Sequence, residues 1–159
     1  IMAIRNLKEL YPNIIYICIG YGDEEENLKK LVNELNLNNH VIFLKNIETG
    51  LKNALVCKSN IFVMPSIIHN KSVEGFGIVY IEAAQYGVPS IGGKDGGASD
   101  AILHEKTGLI CDGNNLEEIY SSIDKMLKDH KYEEYGKEAK KFSENFYWHK
   151  IIKSYQKIL

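Results

Sequence analysis

Short apolar runs rich in β-branched residues recur along the chain and alternate with longer amphipathic stretches. The runs predict strands at residues 14–19, 41–44, 61–64, 88–91 and 109–111. Their nearly continuous hydrophobicity is typical of strands that are buried on both faces of a parallel sheet. Because helical patterns separate them, the sequence predicts an α/β fold with a doubly wound, mostly parallel sheet flanked by helices.

Helical periodicity marks the segments between these runs. The predicted helices cover residues 1–10, 23–35, 47–57, 78–86, 115–127 and 132–142. In the second of them, Asp23 stands where an N-cap is expected, and Glu26 completes a capping box. A helix precedes the first predicted strand, whereas a parallel α/β domain usually begins with a strand, because its helices connect strands. We therefore expect the first strand of this domain to lie upstream of Ile1.

The tail differs from the rest, so we divide the chain into a domain at residues 1–145 and a C-terminal helix at residues 146–159. An aromatic group at residues 146–148 predicts a bend. An apolar stripe at helical spacing follows it, made of Ile151, Ile152, Tyr155, Ile158 and Leu159. Burial stabilises such a stripe, so we expect this helix to be exposed on its own domain and to cross to a partner domain.

Composition and charge remove several classes of function. The formal net charge is −2, which gives no general attraction to nucleic acid or to an anionic membrane. No apolar run reaches the roughly 20 residues that a membrane-spanning helix needs. The cysteines, Cys18, Cys57 and Cys111, are far apart in sequence, so they predict buried thiols rather than a metal site.

The first strand-exit loop carries two glycines, Gly20 and Gly22. Ligands of open α/β sheets bind at the carboxyl ends of the strands, so these glycines invite comparison with a dinucleotide-binding fingerprint. The third glycine of that fingerprint is absent, and the acidic residues 23–26 would repel a pyrophosphate. We therefore reject an NAD site and keep two interpretations of the loop: a plain tight turn, or a place where a base or ribose approaches the backbone.

The loop at residues 65–77 combines glycines, an acid and a helix start. Gly75 and Gly77 allow unusual backbone angles and expose N–H groups, and the helix that begins near Gly77 adds the positive end of its dipole. Together they predict an anion site suited to a phosphate. Glu74 precedes this helix and Glu82 lies about two turns along it, so the two carboxylates can accept hydrogen bonds from hydroxyls at separate points of one ligand.

The loop at residues 92–100 contains four glycines, Gly92, Gly93, Gly96 and Gly97. So many glycines after one strand indicate close approach of the backbone to a ligand. The alternative is a flexible loop without a binding role.

Taken in order, these segments resemble the carboxyl-terminal half of the large family of retaining GT-B glycosyltransferases, which implies a Rossmann-like half of a GT-B fold. The family includes bacterial mannosyl- and glucosyltransferases and sucrose synthase. Its signature is two glutamates separated by seven residues, here Glu74 and Glu82. The resemblance extends over about residues 11–126, and its other matching segments are residues 65–66, 75–83, 87–89, 96–97 and 107–109.

The resemblance implies a role for each site residue. Glu74 is the catalytic residue and accepts a hydrogen bond from a hydroxyl of the donor sugar. Glu82 holds the ribose hydroxyls of the nucleotide. The remaining donor-binding residues meet the sugar and diphosphate, line the glycine loops or border the base; they are Gly75, Phe76, Gly77, Ile78, Val79, Gly20, Asn46, Gly96 and Gly97.

The implied reaction of the complete enzyme is transfer of a hexose from a nucleoside-diphosphate sugar to an acceptor hydroxyl with retention, in cell-surface glycan or glycolipid synthesis. No cofactor or metal is implied besides this donor substrate. The partners are the nucleotide sugar and an N-terminal acceptor-binding domain outside the chain, with no nucleic acid. A cytoplasmic location is implied, and peripheral membrane association through the other half stays open.

The chain departs from the family pattern in its cations. The family's arginine and lysine, which neutralise the leaving diphosphate, would lie upstream of Ile1, and Lys71 and Lys94 do not occupy that motif. We therefore expect the fragment alone to be inactive. Two other functions stay open: a non-catalytic nucleotide-binding module, and half of a GT-B nucleotide-sugar epimerase.

Overall fold

The computed structural model describes residues 1–69 and 72–156. Within these residues five strands and eight α-helices alternate along the chain. They are α1 (Met2–Leu10), β1 (Tyr16–Ile19), α2 (Glu25–Glu34), β2 (Val41–Leu44), α3 (Thr49–Lys58), β3 (Phe62–Met64), α4 (Ile78–Gln85), β4 (Ser90–Gly93), α5 (Ala98–Ala101), β5 (Gly108–Cys111), α6 (Leu116–Leu127), α7 (Lys131–Ser143) and α8 (Trp148–Tyr155). The predicted α/β class is confirmed.

The first of two compact units spans Ile1–Ala54. Its strands β1 and β2 pair in parallel, from Tyr16 opposite Val41 to Ile19 opposite Leu44. The amphipathic helix α1 buries one face through Ala3, Ile4 and Leu7, while α2 contributes Val32. Leu37, in the turn before β2, is completely buried. The hydrophobic face of each helix thus forms the core of this unit.

The second unit begins at Leu55. Its three strands form a parallel sheet in the order β3–β4–β5, with β4 in the middle. A cluster of buried residues from α4 and α5 includes Tyr80, Ile81 and Ile102. Helix α7 packs closely against the end of α4. A Cβ on Gly136 would overlap the carbonyl oxygen of Gly87, so the approach requires glycine at residue 136. All strand pairs are therefore parallel as predicted, but they form two ladders, one in each unit.

The glycine-rich loop predicted at residues 92–100 is shorter in the structure. Gly92 and Gly93 belong to β4, which starts two residues later than predicted, and Ala98–Ala101 forms the short helix α5. Both strand glycines are buried, and a Cβ on Gly93 would overlap the carbonyl oxygen of Ser66. The strand needs glycine here because another backbone segment packs directly against it.

The predicted cap of α2 is wrong. Asp23 lies in the turn before the helix, and the N-cap is Glu24, which makes no side-chain capping hydrogen bond. The Glu24 carboxylate instead accepts a hydrogen bond from Asn27 Nδ2 at 2.9 Å, and Glu26 pairs with Lys29 at 3.0 Å. Each of these acids is thus engaged by a side chain of α2 three residues further along the chain. In α6, by contrast, Asn115 is a true N-cap and accepts from the backbone N–H groups of the first turn.

The tail bends where the aromatic group predicts. A 3₁₀ turn at Glu144–Phe146 ends α7, Tyr147 is extended, and α8 begins at Trp148. Ile152 is 51% exposed and Tyr155 is 67% exposed, and a crossing of this helix to a partner domain stays a prediction. The stripe residues Ile158 and Leu159 lie outside the described residues, as does Lys71. Among the cysteines, Cys111 is buried as predicted and Cys18 is partly buried. The prediction is wrong for Cys57, which is exposed at the end of α3.

Ser90, in the central strand β4, provides a first test of the packing. Its Oγ is buried and has no hydrogen-bond partner in residues 1–69 and 72–156, so Ser90→Ala should raise the free energy of unfolding by about 1 kcal/mol. Ser143 is the matched control, since its side chain is equally buried but its Oγ donates to the Lys140 carbonyl at 2.7 Å. Ser143→Ala should lower the free energy by about 1 kcal/mol. Urea unfolding of both variants measures the difference, and equal losses would contradict the assignment.

Candidate donor-binding site

The loop that carries Glu74 lies across the carboxyl ends of the second sheet. It starts at Pro65, directly after β3, and two glycines of neighbouring segments pack beneath its first residues. A Cβ on Gly93, the last residue of β4, would overlap the Ser66 carbonyl, and one on Gly113, after β5, would overlap the Pro65 carbonyl. Glu74 is therefore placed where the sequence predicts it, in a loop at the strand ends.

Gly96 and Gly97 support the second part of this loop. The Gly97 N–H donates to the Glu74 carbonyl at 3.1 Å. A Cβ on Gly97 would overlap the carbonyl oxygen of Gly75. Gly96 has φ +99°, and a Cβ there would meet the Glu74 carbonyl oxygen at 2.5 Å. Backbone packing therefore already requires both glycines, and a direct contact of either one with the donor stays a prediction.

The start of α4 presents a group of unpaired backbone donors. Gly77 is the N-cap, in the left-handed region at φ +77° and ψ 56°, and no side chain caps the helix. Among the described residues, no acceptor receives the N–H groups of Phe76, Gly77, Ile78 or Val79. Unpaired N–H groups at a helix start concentrate positive potential, which favours an anion such as a phosphate.

The buried side chain of Tyr80 supports this helix start. This role of Tyr80 was not predicted from the sequence. Tyr80 is 1% exposed, and its hydroxyl donates to the carbonyl of Met64, the last residue of β3, at 2.7 Å. Its ring occupies the space where a Cβ on Gly77 would lie. Burial raises the pKa of the Tyr80 hydroxyl, and the Glu74 carboxylate adds to that shift. One buried side chain thus connects the end of β3 with the start of α4.

Glu74 and Glu82 are both accessible in the second unit. Glu74 is half-buried in the loop, and Glu82 lies on the exposed side of α4, one turn after Ile78. Ile78 is 67% exposed, whereas Tyr80 and Ile81 face the core. The helix therefore turns a carboxylate and an apolar side chain outward together. Whether the two carboxylates face one ligand stays a prediction.

Lys94 forms an ion pair that the sequence did not indicate. Its Nζ lies 2.7 Å from Asp112 Oδ2, so it connects the loops after β4 and β5. This contact holds the pKa of Asp112 below its usual range and raises that of Lys94. Asp112 also receives the Asn114 N–H through Oδ1 at 2.8 Å. Lys94 is thus engaged by a carboxylate rather than positioned as an unpaired cation.

In the first unit, the ends of β1 and β2 border a cavity of about 360 Å³. Its walls include Cys18, Gly20, Leu28, Phe43 and Lys45. Glu25 at the rim pairs with Lys29 at 2.7 Å and with Lys45 at 3.3 Å, and these cations lower its pKa. Gly20 is therefore part of a mostly apolar recess at the strand ends. Asn46 follows Lys45 in the chain but does not line the cavity, so its role stays a prediction.

Residues 1–69 and 72–156 contain neither a cluster of metal ligands nor a membrane-spanning helix. No group of three or more His, Cys, Asp or Glu side chains in this part of the chain is arranged to hold a metal ion. Nor does any helix there have the length and hydropathy needed to cross a membrane.

Comparisons with known sequences cover nearly the whole chain. The family model described as glycosyl transferases group 1 matches residues 1–145. The GDP-mannose-dependent alpha-(1-6)-phosphatidylinositol monomannoside mannosyltransferase of Mycolicibacterium smegmatis is 32% identical over 131 residues, which is 81% of this chain and 34% of that protein. The chain thus spans about a third of the length of this curated relative.

Solved structures show the same architecture. Sucrose-phosphate synthase from Thermosynechococcus elongatus matches with a TM-score of 0.80 at 24% identity, over 98% of this chain and 40% of that one. HepE from Anabaena, in complex with UDP-glucose, matches with a TM-score of 0.74 at 21% identity, over 89% and 39% of the two chains. At these identities the likeness concerns the fold, which is that of GT-B glycosyltransferases with parallel strands flanked by helices.

Proposed function

Because this chain belongs to the group 1 glycosyl transferases, we propose that it is the donor-binding half of a retaining glycosyltransferase. The complete enzyme moves a hexose from a nucleoside-diphosphate sugar to an acceptor hydroxyl. The observation that carries the proposal is the start of α4, where the N–H groups of Phe76, Gly77, Ile78 and Val79 have no acceptor among the described residues and adjoin the half-buried Glu74. N–H groups that can bind a phosphate and a carboxylate that can bind a sugar hydroxyl are thus neighbours on one loop.

The N–H groups supply the chemistry that this transfer needs most. When the bond between the anomeric carbon and the diphosphate breaks, negative charge develops on the departing diphosphate. Fixed N–H donors and the helix dipole stabilise that charge without rearranging. Gly77, Gly96 and Gly97 keep these N–H groups fixed. At each of the three positions the backbone follows a path that a residue with a Cβ would not fit. These glycines thus support the backbone at residues 74–77.

The two glutamates have different parts in this scheme. Glu74 accepts a hydrogen bond from a hydroxyl of the transferred sugar, and Glu82 accepts hydrogen bonds from the ribose hydroxyls. A carboxylate accepts but does not donate, which suits it to a pair of neighbouring hydroxyls. Gly20 and Asn46 of the first unit are proposed to border the base, and Gly75 to contact the sugar.

The mannosyltransferase relative uses GDP-mannose, as its name states, and HepE was solved with UDP-glucose. Both donors are hexoses on a nucleoside diphosphate, which supports this donor class for the chain. The acceptor-binding domain, the cationic pair that assists the leaving diphosphate, and a role in glycan or glycolipid synthesis at the cytoplasmic face of a membrane belong to the proposal for the complete enzyme. The alternative is a nucleotide-sugar epimerase of GT-B fold. Analysis of the reaction products distinguishes the two, because a transferase yields a glycoside and an epimerase yields an epimeric nucleotide sugar.

Two substitutions in the full-length enzyme test the proposal. Glu82→Ala should weaken the binding of both the free nucleotide and the nucleotide sugar by about 1.5–3 kcal/mol, because each loses a charge-assisted hydrogen bond from its ribose. Glu74→Ala should leave the free nucleotide unaffected and weaken sugar-dependent steps by a similar amount. Isothermal titration with GDP, GDP-mannose, UDP and UDP-glucose, together with turnover of the donor that binds, measures both effects.

The matched control is Glu133→Ala, which removes an exposed carboxylate from the first turn of α7. It should change neither binding nor turnover. If Glu74→Ala lost equal affinity for the free nucleotide and for the nucleotide sugar, the division of roles between the two glutamates would be contradicted. A wild-type enzyme that binds none of the four ligands would contradict the proposed function as a whole.

A further inference from the structure

Phe76 connects the proposed donor loop with the protein interior. Its N–H is one of the four unpaired donors at the start of α4. Its side chain is partly buried and packs against the cluster that contains Tyr80 and Ile102. A displacement of the Phe76 ring would therefore also displace the backbone N–H groups at the start of α4.

The ring of Phe76 packs against the end of the domain. Its centroid lies 5.4 Å from that of Phe146, with the planes inclined by 47°. Phe146 in turn meets Phe142 edge to face, at 5.2 Å and 71°. These separations are in the range where aromatic pairs attract each other. We refer to Phe76, Phe142 and Phe146 as the aromatic cluster.

The tail side of the aromatic cluster has firm support. Phe142 lies in the last turn of α7, and Phe146 ends the 3₁₀ turn that follows. Between them, Ser143 is fully buried and its Oγ donates to the Lys140 carbonyl. Earlier in α7, Gly136 is in backbone contact with Gly87, after the end of α4. Phe146 is thus supported by a helix packed tightly on the domain, whereas Gly75, next to Phe76 in the loop, is exposed.

We propose that Phe146 is a positioning residue for the donor diphosphate. It holds the Phe76 ring, and through that ring it sets the direction of the N–H groups at the start of α4. The inference rests on the proposed function, since it assigns these N–H groups to the diphosphate. An N–H group that is turned away from the diphosphate loses a charge-assisted hydrogen bond, and such a loss lowers affinity by about tenfold or more. Phe146 therefore affects diphosphate binding through the Phe76 ring.

The test compares ligands that differ by one phosphate. Full-length wild-type enzyme and Phe146→Ala are titrated with GDP and GMP and with UDP and UMP. Because the monophosphate lacks the terminal phosphate, Phe146→Ala should lower the affinity for the preferred diphosphate about tenfold and the affinity for the matching monophosphate by less than about twofold. Phe146→Tyr keeps the ring and should keep the wild-type ratio of the two affinities. If Phe146→Ala does not fold, Phe146→Leu replaces it with the same expected direction.

Met126→Ala provides the matched control. Met126 is fully buried in α6 and is outside the aromatic cluster, so its truncation should lower stability and leave the ratio of affinities unchanged. An unchanged ratio of the two affinities in Phe146→Ala or Phe146→Leu, or an equal fall of that ratio in Met126→Ala, would overturn the inference while the proposed function stands. If the wild type binds neither diphosphate, the proposed function fails and this inference fails with it.

Discussion

Gly97→Ala is expected to lower the free energy of unfolding by about 3–5 kcal/mol, a large part of the stability of a domain this size. The added Cβ would overlap the Gly75 carbonyl oxygen, and its other near neighbours are also backbone atoms, of Gly75 and Phe76. Rotation of a side chain cannot relieve such a clash, so the loop that carries Glu74 must move. The Gly97 N–H bond to the Glu74 carbonyl would be lost with that movement.

Urea unfolding followed by circular dichroism measures this loss. Gly75→Ala is the matched control for stability, because a Cβ on Gly75 would have no atom within 4 Å although it lies on the other side of the same contact. It should change the free energy of unfolding by less than about 0.5 kcal/mol, as surface substitutions usually do. A Gly97 variant as stable as the Gly75 variant would show that the backbone contact is not needed.

Gly77→Ala is expected to lower the free energy of unfolding by about 2–6 kcal/mol, from two causes that can be separated. A residue with a Cβ is strained by about 1–3 kcal/mol in the left-handed conformation that Gly77 adopts. The Cβ would also overlap the Tyr80 ring, and overpacking of this kind costs about 1–3 kcal/mol. Donor affinity in the full-length enzyme should fall as well, because Gly77 fixes the first N–H groups of α4.

A double-mutant cycle with Tyr80→Ala separates the two causes. When the ring is absent, Gly77→Ala should cost only the backbone strain of about 1–3 kcal/mol. The same cost with and without the ring would contradict the steric contribution. No cost in either background would contradict the left-handed conformation of residue 77.

The elements could be predicted because each one is a local pattern. Strand β2 was predicted residue for residue, since its four apolar residues stand between polar turns. Strand β4 was predicted two residues early, because Val88 and Pro89 are apolar and buried but precede the strand, while Gly92 and Gly93 have no side chain to contribute to a hydrophobic pattern. Helix α5 was missed because it is four residues long and follows a run of glycines.

The loop with Glu74 could also be found from sequence, because an acid, two glycines and a helix start are close together in the chain. The groups that hold this loop could not. Gly97 contacts Gly75, Phe146 contacts Phe76 and Lys94 pairs with Asp112 across long stretches of sequence. Periodicity and spacing describe neighbours along one element, whereas these contacts depend on how separate elements pack.

The donors at the start of α4 belong to the main chain, and this determines how the site responds to change. An amide N–H does not titrate, so the positive potential offered to an anion is the same in acid and in alkali, unlike that of a histidine or lysine site. The side chains of Ile78 and Val79 can be exchanged without removing a single N–H donor, provided that the backbone keeps its path. Mutational drift at these positions therefore alters the fit of the ligand gradually, whereas at Gly77 and Gly97 it removes the site in one step.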